Sequence, residues 1–183
     1  MLEPIYINLE PELAKRLEQK QRENLLLKLK SGLQGSLFEI YPKEFPVRWV
    51  WRNEASDFTP WLQKNIKCLQ PFITYPIYNT LSQVKVKNFW IDLVTYSYER
   101  RSTPIELQLG KSDHKHLGQI IAYLALQQAQ SAIWIATEFA QGHKEVIKLL
   151  NESNFASFYL FTVHVVLRES NCSYEIMLKP VSI

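Results

Sequence analysis

Glycine and cysteine are both scarce in this chain. Five glycines in 183 residues are few against an average usage of about 7%. Neither GxGxxG nor GxxxxGK[ST] occurs, which argues against nucleotide binding through a glycine-rich phosphate loop. The two cysteines, Cys68 and Cys172, are too few for a disulfide framework or a cysteine-rich zinc site. Both have apolar neighbours, so we interpret them as reduced core thiols.

Long hydrophobic segments are also missing from the sequence. The run from Ile120 to Leu126 is far shorter than the ~20 residues of a membrane span. The first residues carry neither the basic start nor the apolar stretch of a secretory signal. We therefore expect a cytoplasmic protein with no membrane partner.

Charge of either sign shows only a small excess. The 21 Lys and Arg residues against 18 Asp and Glu give a net charge of +3 and an isoelectric point near 8.8. This value permits a nucleic-acid partner without requiring one, since a domain value above about 9 is the usual sign. An apolar share of 46% with 13% aromatics is ample for a packed core and excludes disorder.

The first 45 residues differ from the rest. Pro11 opens a charged helical stretch that runs towards Gly32, with leucines crowding its end. We predict an N-terminal helical extension over residues 1–45, which either packs on the main domain or provides a dimer contact. The main domain is predicted over residues 46–183.

From residue 46 onward the hydrophobic pattern alternates between helical and extended periods. Helices are predicted over residues 58–69, 112–128 and 141–152. Strands are predicted over residues 72–79, 84–98, 103–109, 131–137, 156–167 and 173–179. This order of elements predicts an α/β fold with a central mixed β-sheet flanked by helices. We interpret the five tryptophans as mainly core residues.

Two acidic side chains are predicted to meet on neighbouring strands. Glu106 and Gln108 lie on one face of a short strand whose alternate positions are apolar. A tight turn through Arg100 and Arg101 would return Glu106 alongside Asp92 on the preceding strand. Two carboxylates in a partly buried sheet repel each other and need a cation. The alternative is a pair of solvent-facing acids.

Oxygen ligands from Asp92 and Glu106, with several waters kept on the ion, favour Mg²⁺ or Mn²⁺. Zinc is disfavoured because His114 and His116, two positions apart on a helix, diverge. Gln108 can orient an attacking water or a phosphate oxygen, but it cannot supply the charge of a lysine.

The helix that follows supplies a second set of polar candidates. His116, Gln119 and Tyr123 recur at spacings of three and four, hence on one stripe. If this stripe faces the polar edge of the strand, Gln119 and Tyr123 can bind a phosphodiester or hold Glu106. Glu54 is a candidate third carboxylate, and the alternative is an acid at a helix entry.

Basic residues near these positions are candidates for phosphate contacts. They are Lys85, Lys87, Arg100, Arg101, Lys111 and Lys115. Scattered lysines are also common on solvated surfaces, so both interpretations stay open.

These residues together resemble the PD-(D/E)XK nuclease superfamily. The resemblance lies in Asp92, in the strand Glu106-x-Gln108, which is an E-x-Q variant of the superfamily's (D/E)-x-K, and in Gln119-x-x-x-Tyr123. The stretches DFTPWL and DHKHLGQ are similar to an uncharacterised bacterial branch with DFTPWL and DHxHLGQ motifs. The resemblance covers about residues 48–180.

The resemblance implies a restriction-endonuclease-like fold and Mg²⁺-dependent cleavage of DNA by an endonuclease. Asp92 and Glu106 would be metal ligands, with Gln108 at the lysine position. The glutamine leaves open a non-catalytic nucleic-acid-binding or assembly module on the same fold. A protein-interaction domain without a DNA role is the third class. A cutter of both strands is most simply a homodimer with one site per strand.

Overall fold

The computed structural model describes residues 3–30, 43–168 and 173–183. Its strands are β1 (Ile5–Asn8), β2 (Glu44–Phe45), β3 (Asn79–Val86), β4 (Phe89–Tyr96), β5 (Ser102–Leu107), β6 (Ser131–Ala136), β7 (Ser157–Arg168) and β8 (Ser173–Pro180). Its α-helices are α1 (Pro11–Lys30), α2 (Thr59–Lys64), α3 (His114–Leu126) and α4 (Gln141–Glu152). A π-helical turn (Glu54–Phe58) and two 3-10 segments (Val47–Trp49 and Ile66–Phe72) complete the list.

The strands form one mixed sheet in the order β1-β8-β7-β6-β5-β4-β3, with β2 attached to β7. Strands β5, β6 and β7 are parallel, and the remaining neighbours are antiparallel. Helices α3 and α4 lie in the two parallel connections, as such crossovers require. The predicted α/β fold with a central mixed sheet flanked by helices is confirmed. The predicted elements from residue 103 onward match β5 to β8, α3 and α4, with small shifts at their ends.

Side chains pack on both faces of the central sheet. One hydrophobic cluster includes Leu17 of α1, Trp61 of α2 and Ile105 of β5. The other includes Ile120 of α3 and Trp134 of β6. Strand β5 is buried along its whole length, so a polar side chain on β5 is buried whichever face it takes. None of the helices described is long and apolar enough to cross a membrane.

The N-terminal segment contributes to both the sheet and the core. Strand β1, which was not predicted, pairs antiparallel with β8, and Leu17 is fully buried. The helix predicted from Pro11 is confirmed as α1. The predicted helix stop at Gly32 and the thiol of Cys172 lie outside the described residues. The domain boundary at residue 45 stays a prediction.

The single strand predicted over residues 84–98 is wrong, because the chain folds there into the β3–β4 hairpin. Val86 pairs with Phe89 across a two-residue turn, in which Lys87 takes a φ of 53°. Such a position usually holds glycine or asparagine. With a lysine in this position, Asn88 alone is left of the usual sequence signal of such a turn.

The strand predicted over residues 72–79 is also wrong, because β3 begins only at residue 79. The Gln70 side chain donates from Nε2 to the carbonyl of Tyr75 at 2.8 Å. Its Oε1 accepts from the backbone N–H of Ile77 at 3.0 Å. Pro76 has no N–H to give to a ladder. Side-chain bonds therefore take the place of strand pairing in this segment.

The helix predicted over residues 58–69 is divided into three pieces. The π-helical turn precedes α2, and a 3-10 segment that contains Pro71 follows it. The turn begins where the Asn53 side chain accepts from the backbone N–H of Ser56 at 3.0 Å. This irregular start carries Glu54, whose side chain reaches the end of β5.

Candidate acidic site at the end of the central strands

Asp92 and Glu106 lie on neighbouring antiparallel strands. The register pairs Leu93 of β4 with Ile105 of β5, which sets Asp92 across from Glu106. Oδ2 of Asp92 accepts a hydrogen bond from the backbone N–H of Leu107 at 3.0 Å. The predicted juxtaposition of the two acidic positions is therefore present in the fold.

Strand β4 departs from a regular pleat at Asp92. Ile91 packs in the cluster with α3 and α4, whereas Leu93 packs in the other cluster. In a regular strand these alternate positions would share a face. On the neighbouring strand, Gln83 has a φ of 51° and donates from Nε2 to Oδ1 of Asp92 at 3.2 Å. Irregular pairing of this kind is common next to functional sites, where it re-aims a side chain.

Glu106 is a buried acid with one unsatisfied oxygen. Its side chain is only 4% exposed, and Oε2 has no hydrogen-bond partner among the residues that the structure describes. Burial, followed by the charges of Asp92 and Glu54, raises the pKa of Glu106 to about 9, while Lys115 acts in the opposite direction. In the absence of a cation, Glu106 is therefore protonated at neutral pH.

Glu54 places a third carboxylate at the same end of the central strands. Its Oε1 accepts from the backbone N–H of Leu109 at 2.9 Å and lies 3.5 Å from the guanidinium of Arg48. Burial raises the pKa of Asp92, and the charge of Glu54 adds to that increase. The three carboxylates thus form one electrostatic group, and Glu54 also lies at a helix entry, so both interpretations of Glu54 stay open.

The donor atoms of this group suit a hard divalent ion. Within the described ranges, no three His, Cys, Asp or Glu side chains already converge on one point that could hold a metal. Mg²⁺, however, keeps several waters and takes only one or two protein carboxylates. Asp92 and Glu106 can provide these, and a cation between them would offset the burial and the nearby negative charges that raise both pKa values.

Gln108 is buried beside Glu106, and its amide nitrogen is already engaged. Nε2 donates to the carbonyl of Lys111 at 2.7 Å and to Oδ2 of Asp113 at 2.9 Å. The buried Oε1 has no partner in the part of the chain that is described. The free atom is therefore an acceptor, which can orient a water molecule but cannot neutralise negative charge.

Gln119 and Tyr123 connect α3 to β4. Nε2 of Gln119 donates to the hydroxyl of Tyr123 at 2.8 Å, and this hydroxyl donates to the carbonyl of Trp90 at 2.7 Å. Burial raises the pKa of Tyr123, and the charge of Glu106 adds to the increase. The Tyr123 hydroxyl therefore lies close enough to the acidic site to feel its charges, and the two residues together hold the start of β4 in place.

His116 lies between the helix cap and the acidic site. Its Nδ1 is 2.8 Å from Oδ1 of Asp113, the same oxygen that accepts from the backbone N–H of His116 at 2.9 Å. Its Nε2 is 3.8 Å from Oε1 of Glu106, which is longer than a hydrogen bond. His114 points elsewhere, with Nδ1 at 2.9 Å from Nε2 of His143, so the two histidines diverge as predicted.

Four of the six basic candidates lie at the end of the sheet that carries Glu106. Lys85 lies near the end of β3 and Lys87 lies in the β3–β4 turn, whereas Lys111 and Lys115 follow β5. All four are exposed. Lys111 forms an ion pair with Glu138 at 2.7 Å.

Arg100 and Arg101 lie at the opposite end of β5. Five residues at ~3.3 Å per residue separate Arg101 from Glu106, which is roughly 17 Å. Arg101 forms an ion pair with Glu99 at 2.8 Å. The structure therefore does not bring these two arginines to the acidic site.

Sequence reasoning missed Gln83 and Asp113 as members of the site. Gln83 reaches Asp92 only because β3 and β4 form a hairpin, and the sequence pattern did not predict this hairpin. Asp113 had a signal, because it lies in the DHKHLGQ stretch and an aspartate often caps a helix. Its contact with Gln108 depends on the path of the loop and could not be predicted.

The fold and the site define a mixed α/β protein with three interacting carboxylates at one end of the sheet. No protein-family model matches the chain, and no curated protein matches it by sequence.

Weak matches occur among solved structures. A repair endonuclease from Pyrococcus abyssi is 13% identical, with a TM-score of 0.40 over 54% of this chain and 45% of that one. An EndoMS–dsDNA complex is 13% identical, with a TM-score of 0.42 over 57% and 43%. EndoMS in apo form is 14% identical, with a TM-score of 0.40 over 58% and 45%. The chain spans less than half the length of these structures, and similarity this low supports no conclusion about function.

Proposed function

We propose that this chain is a Mg²⁺-dependent DNA endonuclease that hydrolyses phosphodiester bonds. The observation that carries the proposal is the carboxylate of Glu106, which is buried beside Asp92 with Oε2 lacking a partner among the described residues. Strongly perturbed acids that lie together at the end of a sheet are typical of functional sites. Asp92 and Glu106 are the proposed ligands of Mg²⁺, or of Mn²⁺ in its place.

Bound Mg²⁺ supplies Lewis-acid polarisation of the scissile phosphate and lowers the pKa of the attacking water. The contribution of the chain is to place the groups around that water. Gln108 presents Oε1 as a fixed acceptor, because its Nε2 is bonded to the loop after β5. Glu54 fixes the end of β5 through the N–H of Leu109. Gln119 presents a buried Oε1 that has no partner within the described ranges.

The lysines at the same end of the sheet are the proposed phosphate contacts. Lys85, Lys87, Lys111 and Lys115 would position the DNA backbone without reading its sequence. Binding through such contacts weakens as salt concentration rises. Arg100 and Arg101 would contact only a nucleic acid that is long enough to reach from the acidic site to the opposite end of β5.

The test is cleavage of supercoiled and linear DNA in Mg²⁺ or Mn²⁺. EDTA and the substitution Glu106→Ala should each abolish cleavage. Glu106→Gln is the matched variant, because it keeps the shape of a buried protonated carboxyl and cannot bind a cation as a carboxylate. A folded Glu106→Gln protein that cuts like the parent chain would refute the proposed site.

A second candidate, a non-catalytic nucleic-acid-binding or assembly module, is favoured by Gln108. The amide nitrogen of Gln108 is already hydrogen-bonded to Lys111 and Asp113, and the side chain carries no charge. The phosphate would therefore lack the cation that a lysine supplies. This alternative predicts DNA binding that survives Asp92→Ala and Glu106→Ala in a protein that never cuts. The substitution Gln108→Lys would then create cleavage if the other groups are in place. A protein-interaction domain would bind neither duplex nor single strands.

The homodimer contact through the N-terminal segment stays a prediction. Leu26 and Leu27 on α1 are exposed large apolar residues. Deleting residues 1–45 would also remove β1 from the sheet and Leu17 from the core. Replacing Leu26 and Leu27 with glutamate is the cleaner test, and light scattering should show a dimer in the parent chain and a monomer in the variant.

A further inference from the structure

The β3–β4 hairpin exposes two aromatic rings next to the acidic site. Phe89 is 37% exposed and Trp90 is 55% exposed. Trp90 precedes Asp92 by two positions, roughly 7 Å along the strand. The two residues are consecutive in β4, so their rings point to opposite faces of the hairpin. Trp90, the more exposed of the two, shares its face with Lys85, and a large exposed ring beside a cation is the combination found at nucleic-acid-binding surfaces. Trp90 is therefore the exception to the interpretation of the five tryptophans as mainly core residues, which Trp51, Trp61 and Trp134 follow.

Positive charge is interleaved with these rings. Lys85 pairs with Trp90 across the hairpin, and its Nζ lies 5.6 Å from the centroid of the Trp90 ring. Lys87 occupies the turn itself. Aromatic faces combined with lysines suit a ligand that has flat rings and a negatively charged backbone.

The backbone that carries the Trp90 ring is held firmly by its neighbours. The carbonyl of Trp90 accepts the hydrogen bond from Tyr123, and the Phe89 and Tyr123 rings meet edge to face at 6.0 Å. Ile91, the next residue, is fully buried. A surface that is ordered before the ligand arrives loses less entropy on binding.

We propose that the Trp90 ring, with Lys85 and Lys87 beside it, forms a stacking platform for unpaired nucleobases. Nucleobases expose their faces to side chains only when they leave the duplex stack, so the ligand is single-stranded nucleic acid or a splayed segment of a duplex. The substrate of the acidic site is accordingly a nucleic acid with unpaired nucleotides next to the cleaved bond. This last step rests on the proposed nuclease function, whereas binding at the platform does not.

A second copy of the chain is the other candidate occupant, since β3 is the outermost strand of the described sheet at this side. Pairing of two such edges would bring Lys85 and Lys87 close to the same residues of another copy. Lysines on an edge strand oppose strand pairing by charge repulsion and desolvation. The same charges attract a phosphate backbone, so the nucleic acid is favoured.

The decisive experiment measures binding of a labelled oligo(dT) and of a blunt duplex by fluorescence anisotropy in EDTA, so that cleavage plays no part. We expect the parent protein to bind the single strand more tightly. Trp90→Leu should weaken single-strand binding roughly tenfold or more, the scale of one stacked base, and leave duplex binding within about twofold. Tyr98→Leu is the matched control, because Tyr98 is 80% exposed and lies beyond the far end of β4.

Intrinsic fluorescence gives a second readout that depends on the ring itself. Trp90 is an exposed tryptophan, whereas Trp51, Trp61 and Trp134 are buried. Oligo(dT) should quench the emission of the parent protein, and Trp90→Leu should remove most of that quenching. Lys85→Ala should reduce the slope of log Kd against log salt by about 0.7.

Three results would overturn the platform. They are unchanged single-strand binding in Trp90→Leu, an equal loss in Tyr98→Leu, and a change of oligomeric mass in Trp90→Leu with unchanged DNA affinity. The last would assign the surface to a second copy. If single-strand binding depends on Trp90 but no DNA is ever cut, the platform stands and the nuclease proposal fails.

Discussion

The carboxylate of Asp92 is hydrogen-bonded to the backbone N–H of Leu107 at 3.0 Å. This contact ties β4 to β5 just beyond the last regular pair, Leu93 with Ile105. Leu107 directly follows Glu106, so the contact also fixes the position of one acid relative to the other. The contact thus holds the Asp92 carboxylate in a fixed position relative to the backbone that carries Glu106, and a precise site requires such support.

Asp92→Asn should abolish DNA cleavage and leave the protein folded. Asparagine keeps an oxygen that can accept from Leu107 but loses the charge that would hold a cation. Removing this charge should also lower the pKa of Glu106, since Asp92 is one of the groups that raise it. Cleavage assays and thermal melts check both points. Asp92→Ala is the contrasting variant, because it also leaves the buried N–H unpaired at a cost of about 1–3 kcal/mol.

The metal-free protein should lose stability as pH rises, because the pKa of Glu106 is about 9 in the folded chain and 4.5 in a free glutamate. Between these values the folded state holds a proton that the unfolded state has released. The free energy of unfolding therefore falls over this range, by at most about 1.4 kcal/mol per pH unit from this group. In Glu106→Gln the free energy of unfolding should fall less steeply as pH rises, and this variant should be more stable than the parent protein near pH 8. Urea unfolding in EDTA near pH 6 and pH 8 measures the difference, and an equal slope in both proteins would contradict it.

Mg²⁺ should stabilise the protein more near pH 8 than near pH 6. A proton on Glu106 competes with the ion at the lower pH, because the ligand is the ionised carboxylate. An ion at a hundred times its Kd adds about 2.7 kcal/mol to the free energy of unfolding. Thermal melts with Mg²⁺ or EDTA test this, and Asp92→Asn should show no Mg²⁺ effect at either pH. An equal shift in the variant would place the ion elsewhere.

Gln108→Leu should destabilise the protein by about 1–3 kcal/mol. The substitution keeps the volume but removes the donor to the carbonyl of Lys111 and to Asp113. Gln141→Leu is a suitable control, because the bond of Gln141 to Glu145 is exposed and its loss should cost less than about 0.5 kcal/mol. Urea unfolding of both variants gives the comparison. Equal costs would mean that the loop after β5 does not depend on Gln108.

The paired acids could be predicted because their positions follow from local rules. Alternation along the strand sets Glu106 and Gln108 on one face, and the short connection through Arg100 and Arg101 leaves room only for a hairpin. These rules use the side-chain period of a strand and the length of a turn, neither of which needs tertiary information. The resulting position of Glu106 beside Asp92 is present in the structure.

The surroundings of the acids could not be predicted from those rules. The alternation of apolar and polar residues along β5 does not show that packing buries both of its faces, so that Glu106 is covered as well. The contact between Glu54 and Leu109 joins positions far apart in sequence. Lys87 adopts a backbone conformation that sequence patterns assign to glycine or asparagine. In each case the determining factor is an interaction between segments that no local period records.

The pairing of β1 with β8 has a consequence for the order of events during synthesis. Strand β1 leaves the ribosome before its partner, which emerges only after the other strands that the structure describes. Until then the apolar residues Ile5 and Ile7 must remain without their final neighbours, or be sheltered by a chaperone. Pairings between such distant segments close late and slow the folding of a domain. A nascent chain arrested before residue 173 should therefore expose this segment to proteases, whereas the finished chain should protect it.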